Sequence, residues 1–194
     1  MIPLWLKVAY TLFLCVLVPA YWRKADAGPL NFLWFSDIAL LATCLALWLE
    51  NRLLASTMAV GVLLPEIFWN VSFLVQLVTG KRLTNLTDYM FDSKRSRFMR
   101  GLSLFHVILP PLLLWLVARL GYDVRAFPAM TLLSTIVLPL TYATTDPEHN
   151  INWVHGWGSA HSTGLPPLVH LALLMIAFPV LIFLPTHLIL DAGF

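Results

Sequence analysis

Four polar side chains interrupt long apolar runs of the sequence and could support acid–base or nucleophilic chemistry. Asp37, Glu66 and Asn70 interrupt two of these runs, and His106 lies six residues into a third. An ionisable side chain inside a membrane segment is costly and therefore indicates a functional site by default. A histidine that is neutral near pH 7 can act as a general base. The question that follows is whether these groups meet in one place.

Ser36 and Asp37 place a hydroxyl directly beside a carboxylate in an apolar context. Ser36 could be a nucleophile if a base reaches it, or its hydroxyl could donate to its own helix backbone. Neighbouring side chains on a helix point about 100° apart, so Asp37 is poorly placed to be the base for Ser36. We expect His106 to be that base, although a structural interhelical role for His106 is the alternative.

Glu66 and Asn70 stand four residues apart and therefore share one face of a helix. Glu66 could be a buried acid that lines a cavity, or it could form a structural hydrogen bond between helices. For Asn70 the structural hydrogen bond is the favoured interpretation. Lys7 is one candidate partner for Glu66.

The composition restricts the class of protein. The chain has 194 residues, of which 59% are hydrophobic and 11% are charged, and its net charge is +2. This charge gives no basis for a nucleic-acid partner, and the apolar content is too high and too segmented for a soluble domain. Cys15 and Cys44 lie deep in apolar runs and are predicted to be small buried residues, not a disulfide.

Six apolar segments are long enough to cross a bilayer, which needs about 20 residues. Backbone groups in lipid must be satisfied within the segment, so each is predicted to be a helix. Pro65 and Pro179 predict kinks or local breaks. The expected fold is all-α, a polytopic membrane protein whose six transmembrane helices form one domain over residues 1–194. The predicted helices cover about 3–22, 30–49, 53–79, 102–120, 127–144 and 165–190.

Lysine and arginine predict the orientation of this bundle, because cytoplasmic loops are rich in both. The side formed by the first, third and fifth loops carries eight of these residues: Arg23, Lys24, Lys81, Arg82, Lys94, Arg95, Arg97 and Arg100. The other side carries three: Arg52, Arg119 and Arg125. The side with the eight basic residues is therefore predicted to be cytoplasmic. Both termini are then predicted to lie on the same side, outside.

The polar groups cluster by depth. Asp37, Asn70 and His106 all fall in the half of the bundle nearest the basic loops, and Glu66 lies near the middle. The sequence therefore predicts one polar cavity that opens toward the cytoplasm.

The segment 149–161 is the most distinctive loop. It contains His149, His155 and His161, together with Asn152 and Trp153, and it has no lysine or arginine. The histidines are six residues apart, which matches neither a helical His pair nor a zinc-finger pattern. No metal and no cofactor are therefore predicted. We expect a lid or a substrate-positioning loop in the membrane interface.

The order of these features resembles the YwaF-type bacterial integral membrane proteins, whose eukaryotic relatives include a phospholipid acyltransferase and the androgen-induced fatty-ester hydrolases. That family reads His-Leu-Cys-Asp at its nucleophile, and Trp34-Phe35-Ser36-Asp37 is similar, with Ser36 in place of Cys and Trp34 in place of His. Leu104-Phe105-His106 is similar to the start of the later helix that carries the family's histidine, and Asn150 or Asn152 could match a later Asn. The hydrolase branch uses a hydroxyl nucleophile, which is compatible with Ser36. The resemblance covers residues 30–153 and implies a bacterial inner (plasma) membrane.

The leading prediction is an enzyme that hydrolyses or transfers the acyl ester of a membrane lipid in a cytoplasm-facing cavity. Ser36 would attack the carbonyl, His106 would take its proton, and Asp37 or Asn152 would orient His106 or stabilise the oxyanion. The lipid would enter sideways between helices near Pro65 and Pro179. The substrate-binding residues are predicted to be Trp34, Glu66, Asn70, Trp153 and His155.

Two other classes remain open. A non-catalytic transporter or binding protein could use Asp37 and Glu66 as proton or cation sites. A membrane protein that binds a metal, haem or quinone could use His106 and the loop histidines.

Overall fold

The structure is a computed structural model that describes residues 1–25, 27–157 and 164–194. Within these ranges the chain is 77% helical and forms no β-strand. Five of its helical segments are long and apolar enough to cross a membrane. The predicted all-α class is therefore confirmed, and these apolar helices indicate a membrane protein.

Long antiparallel helices alternate with short ones along the chain. Two 3-10 helices, Gly28–Leu33 and Ile151–Trp153, and one π-helical segment, Phe178–Phe183, stand between them. The α-helices are α1 (Leu4–Lys24), α2 (Phe35–Leu49), α3 (Arg52–Thr79), α4 (Asp88–Phe91), α5 (Arg97–Leu102), α6 (Phe105–Leu120), α7 (Ala126–Thr144), α8 (Pro167–Ala177) and α9 (Leu184–Gly193).

The second predicted helix differs most from the structure. Residues 30–49 were expected to form one helix, but Gly28–Leu33 is a 3-10 helix and α2 begins only at Phe35. At 15 residues, α2 is shorter than the roughly 20 residues that a perpendicular span needs. The fourth predicted helix begins late for a similar reason, because a turn at Ser103 and Leu104 separates α5 from α6.

Proline explains the interruption of the last segment. Pro179 has no backbone N–H, and its ring would clash with the carbonyl four residues earlier in a regular helix. The segment Phe178–Phe183 adopts the wider π-helical winding at this point. The predicted break at Pro179 is thus confirmed. In contrast, α3 continues through Pro65 without interruption.

The central helix is α3, which packs against α2, α6, α7 and α9. Its residues from Ala55 to Leu63 are all buried, as expected for a helix that is apolar on every side. Gly61 allows a close approach to α7, since a Cβ at this position would lie 2.6 Å from Sδ of Met130. This central helix carries Glu66 and Asn70.

Charged side chains pair at the end of the bundle where the α2–α3 and α6–α7 connections lie. Lys7 Nζ is 2.8 Å from Oε1 of Glu50, so the suggestion that Lys7 pairs with Glu66 was wrong. Cys15 and Cys44 are both free, as predicted, but Cys15 is exposed, not buried. The reason is that Cys15 lies on the outward face of α1.

Asp123 should make the stability of this end of the bundle depend on pH. Arg125 donates to both of its carboxylate oxygens, at 3.0 and 2.8 Å, and these hydrogen bonds lower the pKa of Asp123 from 3.8 to about 2. Because the folded-state pKa is the lower one, the stabilisation is complete well above pH 3.8 and is lost as the pH falls through about 2.

Thermal unfolding in detergent would test this prediction with Asp123→Asn. Between pH 5 and 7 we expect the variant to have a lower melting temperature than the native protein. This difference in melting temperature should narrow as the pH falls from about 4 to about 2. A difference that stays constant over that pH range would contradict the proposed role of the ion pair.

Candidate functional site

A cavity of about 540 Å³ lies at the other end of the bundle. The end of α1, the starts of α2 and α6, the middle of α3 and the loop 148–153 surround it. Of the predicted site residues, the structure places Trp34, Ser36, Asp37, Glu66, His106, Asn152 and Trp153 in its lining. The shared cavity that the depth of these residues predicted is therefore present.

Glu66 and His106 form the central pair of this cavity. The Nδ1 atom of His106 is 2.8 Å from Oε2 and 3.0 Å from Oε1 of Glu66. The side chains are only 14% (His106) and 4% (Glu66) exposed. An ionised Glu66 accepts this hydrogen bond from Nδ1–H, and a neutral His106 then carries its lone pair on Nε2. Within the described residues Nε2 has no hydrogen-bond partner, which leaves it available as a base.

Local sequence explains why the two helices join at this point. Pro110 has no N–H and cannot bond to the carbonyl of His106, four residues earlier. The Nδ2 atom of Asn70 donates to that carbonyl at 2.7 Å and to the carbonyl of Glu66 at 2.8 Å. Trp69 stacks on the imidazole with ring centroids 4.6 Å apart. The predicted structural hydrogen bond of Asn70 is confirmed, and Asn70 does not line the cavity as a substrate contact.

Ser36 lines the same cavity from the first turn of α2. Among the described residues its hydroxyl has no hydrogen-bond partner. The bond back to its own helix is thus not formed, and no direct hydrogen bond joins Ser36 to His106. Ser36 and His106 therefore line one cavity without bonding to each other.

Asp37 is buried beside Ser36, with 3% of its surface exposed. Its Oδ2 accepts a hydrogen bond from Nδ2 of Asn31 at 3.2 Å, and its Oδ1 has no partner within the described ranges. The predicted role of Asp37 in orienting His106 was wrong, because Glu66 holds that position.

Asn152 has a different role from the predicted one. Its Oδ1 accepts from the backbone N–H of Phe35 at 3.1 Å, and its Nδ2 donates to the carbonyl of Leu33 at 2.7 Å. The side chain thus joins the 3-10 helix to the start of α2 and makes no hydrogen bond with His106. Asn152 was predicted to act on His106 or an oxyanion, but it holds the turn that carries Ser36.

The backbone around Asn152 is strained. Asn150, Asn152 and Trp153 have φ values of 40°, 51° and 62°, in the left-handed region. Asparagine tolerates this region, whereas a bulky tryptophan is an outlier there. Hydrogen bonds hold the loop in place: the Asn150 side chain binds Gly156 O at 2.9 Å, and Nε2 of His170 lies 2.8 Å from Trp153 O. Such strain persists only where the surroundings fix it, often at functional sites.

Replacing Asn152 by leucine should destabilise the protein by about 2–6 kcal/mol, because two backbone groups would lose their partner at about 1–3 kcal/mol each. Denaturant unfolding in detergent measures this loss. Asn51→Ala is the matched control, since Asn51 caps α3 with one exposed hydrogen bond, to Leu54 N, and should cost about 1 kcal/mol. Equal losses for the two variants would contradict the role of Asn152.

The loop histidines do not converge. His155 lies 3.0 Å from the carbonyl of Thr145 and packs on Tyr142, outside the cavity lining; its predicted contact with substrate was wrong, because this packing turns it away. His149 lines the cavity, and His161 lies outside the described residues. In the described part of the chain, no three His, Cys, Asp or Glu side chains are grouped to hold a metal ion.

Several polar residues of the cavity were not predicted from the sequence. Tyr21 and Ser103 are joined by a hydrogen bond of 3.0 Å between their hydroxyls, and burial raises the pKa of the nearby Tyr89 hydroxyl. Arg95 and Arg100 also line the cavity. Ser103 lies in the turn between α5 and α6, three residues before His106, and no local sequence pattern marked it.

The fold and the site together define an all-helical protein with membrane-length apolar helices and one polar cavity built around a carboxylate–imidazole pair. Comparisons with family models, curated proteins and solved structures find no match to this chain.

Proposed function

We propose that the chain crosses the bacterial inner membrane six times, with both termini outside and the cavity open to the cytoplasm. Support for the sixth crossing comes from α2 and the preceding 3-10 helix, which together extend from Gly28 to Leu49. Ile2 N donates to Glu50 at 3.0 Å, and His187 pairs with Tyr122 at 2.6 Å. These contacts support placing the two chain ends at the same end of the bundle. The eight basic residues at the cavity end support a cytoplasmic opening.

We infer that this cavity hydrolyses or transfers the acyl ester of a membrane lipid through a serine nucleophile. One observation carries the proposal: Glu66 binds Nδ1 of His106, so that the free Nε2 and the free Ser36 hydroxyl belong to one cavity. A nucleophile, a base and a group that orients the base are the parts that acyl transfer requires.

The proposed reaction proceeds in two halves. The Ser36 oxygen attacks the ester carbonyl while Nε2 of His106 takes its proton, and Glu66 stabilises the imidazolium that forms. The tetrahedral intermediate then expels the alcohol, which receives the proton from His106, and an acyl-serine remains. Water, or the hydroxyl of an acceptor lipid, attacks the acyl-serine with the same proton transfers and regenerates Ser36.

Labelling by a fluorophosphonate, followed by mass spectrometry of the digested protein, tests this function. We expect one modified peptide, with the adduct on Ser36, and no adduct in Ser36→Ala. Ser103→Ala is the matched control, because Ser103 lines the same cavity but is hydrogen-bonded to Tyr21; it should still be labelled. An adduct on Ser103, or labelling of the Ser36→Ala variant, would remove the nucleophile proposed here.

A second candidate function is proton- or cation-coupled transport through Asp37 and Glu66. The buried Oδ1 of Asp37, without a partner in the described structure, and its electrostatic interaction with Glu66 favour this alternative. A pH-sensitive dye inside proteoliposomes would report the flux. Transport predicts a proton flux that Asp37→Asn abolishes, whereas the serine mechanism predicts that Asp37→Asn is still labelled at Ser36.

A further inference from the structure

Arg100 is a cation without a counter-ion at the edge of the cavity. Its Nη1 donates to the carbonyl of Met90 at 3.1 Å, which fixes the guanidinium in place. Its Nε is buried and has no hydrogen-bond partner within the described residues. In the same part of the chain no carboxylate forms an ion pair with it. Because Nε has almost no accessible surface, the donor left for a ligand in the cavity is Nη2, which has no hydrogen-bond partner among the described residues.

Arg95 adds a second guanidinium to the same wall. It lies over the ring of Tyr89, 5.5 Å from the centroid, and lines the cavity together with Arg100. Glu66 pairs with His106 and Asp37 accepts a hydrogen bond from Asn31, and in the described structure neither forms an ion pair with Arg100. The lining therefore contains two guanidinium groups, together with the carboxyl groups of Asp37, Glu66 and Glu148. Guanidinium groups recognise phosphate and carboxylate through paired, charge-assisted hydrogen bonds.

The cavity lining also includes apolar side chains, among them Val62 from α3 and Phe178 and Ile182 from the π-helical segment. Arg100, Ser36 and His106 line the same cavity as these apolar side chains. A ligand with an anionic head group and an acyl chain matches a cavity that has both guanidinium groups and apolar side chains in its lining.

We propose that Arg100, assisted by Arg95, forms an anion-binding site for the head group of an amphiphilic ligand. The group is a phosphate or a carboxylate, and the acyl chain extends toward Phe178 and Ile182. As a statement about the substrate, this inference rests on the proposed acyl-ester chemistry. As a binding site, it can be measured without any turnover.

Binding to the purified protein in a neutral detergent tests the site. The probes are a lysophosphatidic acid, the fatty acid and the uncharged monoacylglycerol of the same chain length, and inorganic phosphate, with tryptophan fluorescence as the readout. We expect at least one anionic amphiphile to bind about tenfold or more tightly than the monoacylglycerol. The tighter of the two identifies the head group as phosphate or carboxylate. Competition by inorganic phosphate at equal concentration would overturn the requirement for an acyl chain.

The variants Arg100→Gln and Arg100→Lys separate charge from folding. Arg100→Gln should lose the tenfold preference, and Arg100→Lys, which keeps the charge, should retain most of it. Arg82→Gln is the matched control, because Arg82 pairs with Asp88 and does not line the cavity. Unchanged preference in Arg100→Gln, or equal binding of charged and uncharged probes to the native protein, would overturn the proposal.

The experiments distinguish an error in the anion-site proposal from an error in the proposed acyl-ester chemistry. Ser36→Ala should bind the anionic probe as the native protein does. If fluorophosphonate labelling fails while the charge preference remains, the acyl-ester chemistry is wrong and the anion site stands. If labelling succeeds while the preference is absent, the enzyme stands and the anion site is wrong.

Discussion

Replacement of His106 by alanine is expected to lower the rate of fluorophosphonate labelling at Ser36 by about 10²–10⁴-fold, the usual contribution of a general base. His106 is the one imidazole in the described structure that a cavity carboxylate holds, through bonds of 2.8 and 3.0 Å. Without it, Ser36 loses the base proposed to remove its proton. The measurement is the second-order rate constant for labelling.

Two further variants separate this effect from unfolding. His106→Ala leaves Glu66 buried without its partner, which can destabilise a protein by about 3–5 kcal/mol. His106→Gln can still donate to Glu66 but cannot take up a proton, so it should fold and remain unlabelled. His149→Ala removes another cavity histidine and should be labelled at the native rate. Native-rate labelling of His106→Gln would show that His106 is not the base.

Replacement of Glu66 by glutamine is expected to slow labelling by a similar factor, about 10²–10⁴-fold, because a neutral amide cannot stabilise the imidazolium and can favour the wrong tautomer. Glutamine has nearly the same shape as glutamate, so its amide oxygen can still accept the hydrogen bond from Nδ1 of His106. Labelling rates and thermal midpoints measured on the same samples distinguish lost chemistry from lost structure.

Asn70→Ala is the control for Glu66→Gln. Asn70 ties α3 to α6 through backbone carbonyls of Glu66 and His106 but takes no part in proton transfer. It should lower stability by about 1–3 kcal/mol and slow labelling by less than about tenfold. A larger loss of rate in Asn70→Ala than in Glu66→Gln would contradict the assignment of Glu66 as the group that orients the base.

The sequence predicted the location of the site better than its pairings. Counting residues from helix ends placed Asp37 and His106 in one half of the bundle and Glu66 near its middle, and all three line one cavity. Depth follows from the helical rise alone. Which side chains meet depends also on how each helix is rotated, so the sequence alone did not identify Glu66 as the partner of His106. Pro110 was an unused signal, since it leaves the His106 carbonyl in need of the Asn70 amide.

The start of α2 could not be predicted from nearby residues. It depends on Asn152, which lies 117 residues from Phe35 in the chain yet bonds to its N–H. Local patterns carry no information about such a distant cap. Arg100 was missed for another reason: in the sequence it counted only as one of eight basic residues that set the orientation. Its lack of an ion pair in the described structure becomes visible only once the helices are packed.

The most direct test of the central claim is an experimental structure of the protein after reaction with a fluorophosphonate. The predicted result is a covalent adduct on the Ser36 oxygen, with Nε2 of His106 within about 4 Å of it and Nδ1 still bound to Glu66. An adduct on another residue, or a separation of more than about 8 Å between the Ser36 oxygen and Nε2, would contradict a serine mechanism.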